Sequence, residues 1–505
     1  MASHPFDISG SVAIITGGGR GLGAALASSF AAAGARVVIG DQDEQTAQAS
    51  AAGICARSGT AVAARCDITN EQDVRGLVDL AVQTYGRLDI LVNNAGINIP
   101  KPAEDLALEM AEETVRAGVL AIGARLLAAG LAARGTGKAG ARHPCSCGAD
   151  ARCEGYRSKG VHTVVGWITV RRAYYACPDC GHGHCPLDAA LGLARDSLSP
   201  GVRRLAGRFG ALLPFAEAAD SLWQAARVPL SASTVRAVTE AVGARREQDL
   251  AAEIAAAWAQ GVPPAIGTPP ERLYVAMDGI RILGIDGAGR EVKVGVVLPV
   301  RQHAEREQRQ PASYVAGLEP AAAFGPRLAL EAHRRGLEEA GRIAVLGDGA
   351  AWIWQLAAEH FPHATQIVDW FHASERVWDL GRALFGEGTE QTTAWVEAQL
   401  GRLAQGQAAT LAYEWRALPC RGEPAAVRDE QVIYFTNQAS RMAYDRYRAA
   451  GWDIGSGMVE AACKHLIGAR EKGPGMRWSE TGAQTVAAVR VLLFNQHWAT
   501  YPLAA

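Results

Sequence analysis

The sequence predicts a multidomain α/β protein, and three observations support that fold class. Strands and helices alternate around a glycine-rich turn in the first hundred residues. Two close-spaced cysteine pairs flank a β-rich stretch between residues 145 and 180. Farther along, three short apolar strands each end in an aspartate. With 505 residues, 49% of them hydrophobic, the chain is long enough for three or four domains.

Changes in pattern divide the chain into segments, and the sharpest change lies near Met110. We predict a truncated dinucleotide-binding segment at 1–107, a helical segment at 108–140, a zinc-ribbon-like module at 141–190, a helical and DNA-binding region at 191–262, and a catalytic domain at 263–490 with a helical insertion at about 378–445. For 191–262 an ordinary helical bundle is an equal alternative. The change at Met110 indicates that two unrelated coding segments are fused.

Bulk properties favour a cytoplasmic protein, associated with the nucleoid when it is bound to DNA. The net charge of -2 gives no general attraction to nucleic acid, so any DNA contact depends on local basic clusters. No apolar run reaches the ~18 residues that a membrane span needs, and the N-terminus lacks the pattern of a signal peptide. We therefore expect no membrane partner. Five of the ten cysteines crowd into 145–180, which indicates metal binding.

The first segment carries a nucleotide-binding turn. An apolar strand runs into Thr16-Gly-Gly-Gly-Arg-Gly-Leu-Gly23 and then into an alanine-rich helix. Gly17 permits the tight turn, while Gly21 and Gly23 let the backbone approach a pyrophosphate that the helix N-terminus attracts. A second strand ends in Asp41, which can accept hydrogen bonds from an adenosine ribose.

Two later motifs complete the set. Asp67 follows a third strand, and Asn93-Asn-Ala-Gly96 follows a fourth. In order and spacing these motifs resemble the cofactor-binding residues of the short-chain dehydrogenase/reductase family. The resemblance covers about residues 1–107 and implies a Rossmann-like fold, with Asp41 favouring NAD over NADP.

The residues that perform this family's chemistry are missing. That chemistry uses a Ser and a Tyr-x-x-x-Lys pair, in which the lysine lowers the pKa of the tyrosine. None of the six lysines has a tyrosine four positions earlier. We expect an inactive remnant whose NAD binding is weak, because half of the crevice is absent. An NAD-dependent oxidoreductase is the alternative function.

The cysteine pairs predict a structural zinc site. Each pair supplies two thiolates from a tight turn, and four sulfurs complete a tetrahedron; the expected ligands are Cys145, Cys147, Cys177 and Cys180. The first pair has one intervening residue, which leaves other ligands open, namely Cys153, His182, His184 and Cys185. Free cysteines in a small core are the alternative. Arg171 and Arg172 in the β-rich stretch are candidates for contact with DNA.

Acids in the last domain predict a site for metal-dependent phosphoryl transfer. Asp278 and Asp348 end apolar strands, and Glu460 lies on a late helix. Carboxylates are the ligands that Mg²⁺ prefers, and two metal ions can clamp the attacking and leaving oxygens of a phosphodiester. A single Asp-Gly is more often a turn, so the prediction depends on the ordered set.

From about Met110 onward the sequence resembles the ISKra-type DDE transposases of bacterial insertion sequences. The matching phrases are Gly347-Asp-Gly-Ala-Ala-Trp352, Ile367-Val-Asp-Trp-Phe-His-Ala373, Gly455-Ser-Gly-Met-Val-Glu460 and Gly475-Met-Arg-Trp-Ser479. The resemblance implies an RNase H-like core, the triad Asp278, Asp348 and Glu460 holding Mg²⁺ or Mn²⁺, and a homo-oligomer acting on DNA. It also implies a supporting role for Asp369 and His372, for which a structural hydrogen bond is the alternative.

The basic residues after Glu460 are candidates for contact with DNA phosphates, and a solvated helix face is the alternative. They are Lys464, His465, Arg470, Lys472 and Arg477, with Trp478 beside them. A non-catalytic DNA-binding remnant, blocked by its fused N-terminal segment, is the third function that the sequence allows.

Overall fold

The structure, a computed structural model, describes residues 8–95, 108–193, 196–262, 265, 268–303 and 306–503. The chain divides into two compact units, Met1–Val115 and Arg116–Ala505, and each is described by itself below. The division falls inside a long helix rather than at the predicted boundary of 107.

The first unit contains a four-stranded parallel sheet in the order β3-β2-β1-β4. Its elements are β1 (Val12–Thr16), α1 (Gly21–Ala32), β2 (Arg36–Asp41), α2 (Glu44–Cys55), β3 (Thr60–Arg65), α3 (Glu71–Tyr85) and β4 (Ile90–Val92). Every residue of β1 is buried, as expected for a central strand covered on both faces. Asp43 and Asn70 cap α2 and α3 by accepting hydrogen bonds from backbone N–H groups.

The second unit begins with a small antiparallel sheet in the order β5-β6-β7-β8. Around it lie α4 (Leu108–Ala133), β5 (Arg142–Pro144), β6 (Asp150–Thr163), β7 (Gly166–Ala176), β8 (Gly183–His184) and α5 (Pro186–Ala190). β6 and β7 form a long hairpin, and each cysteine pair lies in a turn beside it. This arrangement brings the two cysteine pairs to the same end of the hairpin.

Three helices follow, α6 (Pro200–Leu212), α7 (Phe215–Ala226) and α8 (Ala232–Gln260). α7 ends at Arg227, whose φ of 53° is left-handed. Ser231 caps α8 by accepting a hydrogen bond from the Thr234 backbone N–H at 3.1 Å. A short connection, residues 227–231, joins α7 to α8, and the three helices share one apolar core.

A mixed sheet forms the centre of the second unit, with strand order β11-β10-β9-β13-β14 and β12 also paired to β10. The strands and their connecting helices are β9 (Arg272–Leu283), β10 (Gly289–His303), β11 (Arg306–Arg309), β12 (Ser313–Gly317), α9 (Ala321–Arg334), β13 (Arg342–Gly347), α10 (Ala351–His360) and β14 (Thr365–Val368). β9, β10 and β12 are antiparallel, whereas β13 and β14 run parallel to β9.

Helices complete the unit. They are α11 (Trp370–Phe385), α12 (Glu390–Ala404), α13 (Ala408–Trp415), α14 (Glu423–Gln438), α15 (Tyr444–Ala449), α16 (Gly457–Ala462), α17 (Ala469–Glu471) and α18 (Glu480–Phe494), with a π-helical turn at Cys463–Gly468. The mixed sheet and these helices bury one continuous core. The region predicted as a helical insertion is therefore packed onto the sheet that carries the acids.

α4 departs from the expectation that the chain holds no membrane-length apolar segment. Among the described residues it is the one helix long and apolar enough to cross a membrane, judged by length and composition alone, with a mean hydropathy of 1.6 over an 18-residue stretch. It carries Arg116 and Arg125, and a charge near the middle of a span is costly. Ala124, Ala128 and Leu131 also pack against the β6–β7 hairpin. These contacts favour a helix on a protein surface.

Candidate functional sites

Three aspartates lie side by side at one edge of the mixed sheet. The last paired residues of the parallel strands are level with one another, Met277 opposite Gly347 and Gly347 opposite Val368. Neighbouring strands lie about 4.8 Å apart, so the next residue in each strand starts from the same row. These next residues, here named the aspartate row, are Asp278, Asp348 and Asp369.

Asp278 and Asp348 are held by their own backbone. Asp278 Oδ1 accepts a hydrogen bond from the Gly279 N–H at 2.7 Å, and Asp348 Oδ1 accepts one from the Ala350 N–H at 2.9 Å. Burial raises the pKa of Asp278, and the negative charge of Asp348 raises it further. Two carboxylates that repel each other in a partly buried position are a favourable place for a cation.

Asp369 is buried, and its carboxylate positions His372 and the backbone at Ser456. Its side chain accepts hydrogen bonds from the His372 backbone N–H at 2.8 Å and from His372 Nδ1 at 3.1 Å, and it also accepts one from the Ser456 N–H. The Asp369 hydrogen bond raises the pKa of His372, and the charges of Asp348 and Asp278 add to that effect. The imidazole therefore lies within electrostatic reach of the whole aspartate row.

Glu460 lies on α16, near this edge but turned toward solvent. Its Oε1 accepts a hydrogen bond from Lys464 Nζ at 2.6 Å, one helical turn away. Among the described residues, Asp278, Asp348 and Glu460 are not drawn together into a group that could hold a metal ion as they stand. The structure therefore places the acids on neighbouring elements without drawing their oxygens into one closed cluster.

Two further residues at the site were not predicted from the sequence. Cys463 is buried, and burial together with the charge of Asp278 raises the pKa of its thiol. Tyr434 of α14 donates a hydrogen bond to the Asp348 carbonyl oxygen at 2.6 Å. Cys463 follows Glu460 by three positions, so the sequence alone indicates that both side chains lie on the same side of a helix. The hydrogen bond from Tyr434 to Asp348 depends on how α14 packs, and no local sequence pattern predicts it.

The four predicted zinc ligands come together. The Sγ atoms of Cys145, Cys147, Cys177 and Cys180 all lie within 4.8 Å of one another. Two of the sulfur pairs, Cys145 with Cys180 and Cys147 with Cys177, are 3.6 Å apart. A tetrahedral site with Zn–S bonds of about 2.3 Å requires sulfurs about 3.8 Å apart, so this donor set fits zinc.

The turns explain how the sulfurs converge. The Gly148 and Gly181 N–H groups donate to the Cys145 and Cys177 carbonyl oxygens, each at 3.0 Å, and both glycines have positive φ. A hydrogen bond from the Cys147 backbone N–H lowers the pKa of the Cys145 thiol, which favours the thiolate that metals bind. The alternative ligands stand outside the cluster, namely Cys153, His182, His184 and Cys185.

The structure corrects part of the predicted DNA contact surface. Arg470 is 2% exposed, and its Nε donates to the Gly210 carbonyl oxygen in the core. Trp478 is also buried and donates to the Glu471 carbonyl oxygen at 3.1 Å. Arg172 is buried and ion-paired with Asp188. These three side chains hold elements together and are not available to bind DNA.

The glycine-rich turn of the first unit has the close approaches expected of it. Gly17 has a φ of +64°, and a Cβ there would lie 2.8 Å from the Ala95 Cα; a Cβ on Gly23 would lie 2.1 Å from the Gly17 carbonyl oxygen. Gly21 also has positive φ. Asp41 Oδ2 accepts a hydrogen bond from the Gly19 N–H at 2.9 Å, which fixes the carboxylate beside the turn.

The other predicted cofactor residues lie nearby in the same unit. Asp67 accepts two hydrogen bonds from Thr69, which lower the pKa of its carboxyl. Asn93 is exposed after β4, and its neighbour Asn94 donates to the Thr16 and Gly17 carbonyl oxygens, each at 3.1 Å. Gly96, the last residue of that motif, lies outside the described residues.

Comparison with known proteins identifies relatives of the N-terminal region. The family described as "short chain dehydrogenase" matches residues 11–138, which extends beyond the residue 107 expected from the motifs. The 7alpha-hydroxysteroid dehydrogenase of Escherichia coli (strain K12) is 47% identical over 100 residues, covering 20% of this chain and 39% of that protein. The D-threitol dehydrogenase of Mycolicibacterium smegmatis is 36% identical over 132 residues, covering 25% of this chain and 51% of that protein.

Solved structures agree in sequence over the same share of the chain. A metagenomic short-chain oxidoreductase in complex with NADP is 35% identical, covering 20% of this chain and 45% of that chain, with a TM-score of 0.18. The chain thus spans about two-fifths to half of the length of the Escherichia coli and Mycolicibacterium smegmatis dehydrogenases. Residues 11–138 are therefore similar in sequence to short-chain dehydrogenases, and the Rossmann-like parallel sheet of the first unit lies within this range.

Proposed function

We propose that the unit Arg116–Ala505 is a metal-dependent DNA phosphoryl-transfer enzyme of the transposase class, with an RNase H-like core. The aspartate row carries this proposal. Three antiparallel strands followed by two parallel ones bring Asp278 and Asp348 to adjacent positions, as the resemblance implies for the first two triad acids. Glu460 on α16 is the proposed third acid.

The side chains at this edge suit a hard divalent cation. Carboxylate oxygens are the ligands that Mg²⁺ and Mn²⁺ prefer, and Mg²⁺ needs only a few of them because it keeps several waters. Asp278 and Asp348 would hold the ion, whose charge would relieve their mutual repulsion. Glu460 would become a further ligand of the ion after breaking its ion pair with Lys464. Breaking this pair costs little free energy, because exposed ion pairs contribute little to stability. Such ions activate water and stabilise the leaving oxygen.

The proposed reaction has two transfers at phosphorus. In the first, a water oxygen attacks the phosphorus at an element end, the P–O3′ bond breaks, and a 3′ hydroxyl and a 5′ phosphate remain. In the second, that 3′ hydroxyl attacks a phosphodiester of target DNA, and the target's 3′ oxygen leaves with a proton. Two ends must be joined together, which requires a homo-oligomer. His372, held by Asp369, is close enough to the row to orient the attacking or leaving group.

The test is a strand-cleavage assay with labelled DNA carrying the sequences that flank this gene. We expect nicking that requires Mg²⁺ or Mn²⁺ and falls at least about 100-fold in Asp278→Asn and Asp348→Asn, as for loss of a group that stabilises the transition state. Asp379→Asn is the matched control, because Asp379 lies on α11 with an exposed carboxylate that pairs with Arg382. Sequencing of the cut ends should show 3′ hydroxyls.

Two outcomes would count against this function. Equal cleavage by the wild type and by Asp348→Asn would mean that a contaminant cuts the DNA. Binding of the flanking DNA without metal-dependent cleavage would instead support the non-catalytic DNA-binding remnant.

A second function is favoured by the first unit. We propose that its glycine-rich turn binds a nicotinamide dinucleotide without dehydrogenase turnover. The support is the carboxylate of Asp41, fixed at the end of β2 by the Gly19 N–H where it can meet a ribose. The relatives are dehydrogenases, but the Tyr-x-x-x-Lys pair is absent from this sequence.

Titration with NADH, followed by its fluorescence, tests this binding. We expect weak saturable binding that falls roughly tenfold in Asp41→Ala, because one good hydrogen-bonded contact to the ribose is lost. Asp79→Ala, an exposed acid on α3, should bind like the wild type. Steady oxidation of NADH with carbonyl substrates would show that other residues replace the missing Tyr-x-x-x-Lys pair. If NADH does not bind saturably, the second function is wrong.

A further inference from the structure

The β6–β7 hairpin has one covered face and one open face. Val161, Ile168 and Val170 are buried and pack against apolar residues of α4 and α5. Because side chains alternate along a strand, the residues between them point away from these helices. Toward the cysteine end of the hairpin the opposite face is covered as well, because Ala173 and Tyr175 pack there with Cys145. Between Trp167 and Arg171 the side chains of this face are exposed, and this part is called the open face.

Trp167 lies flat on this open face. A Cβ on Gly160 would lie 2.2 Å from the Trp167 ring, so the indole covers the glycine on the neighbouring strand. The His162 ring flanks the indole with a centroid distance of 6.0 Å. Even so, 60% of Trp167 is exposed. Gly160 thus provides the space in which a large aromatic ring can lie with its outer side facing solvent.

A second flat pair stands on the same face. The Arg171 guanidinium lies 4.3 Å from the centre of the Tyr156 ring, and Tyr156 is 44% exposed. Arg171 lies four positions after Trp167 on β7, so their side chains share a face and start about 13 Å apart. Tyr156, Trp167 and Arg171 are named the stacking face below.

The hairpin that carries the stacking face is positively charged, in contrast with the chain as a whole. Residues 150–176 contain five arginines and lysines against two acids, whereas the whole chain has a net charge of -2. Arg171 lies on the stacking face, whereas Arg157, Lys159 and Arg172 start from the covered face, where Asp188 neutralises Arg172. A polyanion is therefore the partner with complementary charge.

We propose that the stacking face binds unpaired nucleic acid, with bases stacked on Trp167 and on the Arg171–Tyr156 pair. Exposed aromatic rings beside cationic groups are what a single strand needs, because every base has a π-face and every link a phosphate. In a duplex the base faces are covered by neighbouring pairs, so a flat indole has nothing to stack on. This surface lies outside the aspartate row, and the proposal holds whether or not the protein cleaves DNA.

The experiment is fluorescence anisotropy with the full-length zinc-loaded protein and no added Mg²⁺. The probes are a labelled 20-nucleotide single strand and the duplex of the same sequence. We expect Trp167→Ala to weaken binding of the single strand about 5- to 150-fold, the range for loss of one base–aromatic stack. Duplex binding should change less than about twofold. Trp167→Phe should restore most of the loss, because a ring remains.

Controls separate this surface from other tryptophans and from cleavage. Trp258→Ala removes a comparably exposed indole from α8 and should bind like the wild type. Asp348→Asn should bind the single strand normally while losing cleavage. The zinc content of each variant reports folding of the module. Unchanged single-strand binding by Trp167→Ala, equal loss in Trp258→Ala, equal loss for the duplex, or absence of binding by the wild type would each overturn the proposal.

Discussion

At the scale of single residues, Asp278 shows how the site can oppose stability. Burial and the charge of Asp348 raise its pKa in the folded protein. When folding raises the pKa of an acid, its charged carboxylate is less favourable in the folded protein than in the unfolded chain, and the charge destabilises the fold. This destabilisation is absent below the unfolded pKa of about 3.9, grows as the pH rises from there to the folded pKa, and is complete above it.

Asp278→Asn should therefore stabilise the protein while abolishing cleavage. Without divalent metals at pH 7, we expect a Tm rise of roughly 1–4 °C, the shift for about 1 kcal/mol in a unit of this size. At pH 3.5 the difference should vanish. Mg²⁺ should raise the Tm of the wild type and not of the variant. Thermal melts at both pH values make the measurement.

Asp286→Asn provides a control of opposite sign. The hydrogen bond from Arg290 lowers the pKa of Asp286, so its charge favours the folded state above the unfolded pKa. This carboxylate is exposed, and its loss should leave the Tm unchanged or slightly lower. A lower Tm in Asp278→Asn at pH 7 would contradict the account of that residue.

Single residues also mark the limit of prediction from sequence. The acids and cysteines were predictable because their chemistry is recognisable in short motifs. The burial of Arg470 was not, because a basic residue in a basic stretch looks exposed until α6 and the rings of Phe215 and Trp478 are packed around it. The role of Tyr434 at the Asp348 loop depends on a helix 86 positions away.

At the scale of elements, the positions of strands and turns in the sequence were more predictable than the elements against which they pair or pack. Apolar runs ending in an acid predicted β9, β13 and β14, but only the pairing places their ends in one row. The helical insertion was predicted from its length. Its function as a support was not, because Gln438 of α14 reaches the Gly349 carbonyl oxygen only in the folded protein.

The zinc module supplies the prediction at this scale. Its core is small, centred on Ala151, Ala173 and Tyr175 beside the cysteines, so the metal should supply much of its folding free energy. We expect one zinc per chain, lost in Cys147→Ser or on treatment with a strong chelator. Loss of zinc should open residues 141–190 to limited proteolysis while sparing the mixed sheet.

A cysteine outside the cluster tests whether this effect is specific. Cys420→Ser changes a thiol that donates to the Leu418 carbonyl oxygen at 3.6 Å, and the variant should retain zinc and protease resistance. Equal resistance of the zinc-free and zinc-loaded proteins would show that the four sulfurs do not hold a structural metal.

At the scale of the whole molecule, the chain combines two candidate chemistries on separate units. The glycine-rich turn takes all its described contacts from the first unit, and the aspartate row takes all of its own from the second. The change of sequence pattern near Met110 lies close to this division. The sequence could not predict whether binding at one site alters the other, since coupling needs an element with two arrangements that both ligands bias.

We expect the two sites to be energetically independent. Saturating NADH should leave the cleavage rate and the affinity for DNA unchanged within about twofold, and DNA should leave the affinity for NADH unchanged, because coupling of binding is reciprocal. Asp41→Ala should lose NADH binding with normal cleavage, and Asp348→Asn should show the reverse. Cleavage that rises when NADH binds would instead indicate that the N-terminal region inhibits the transposase-like unit. The reciprocal titration would then have to show DNA changing NADH affinity by the same factor.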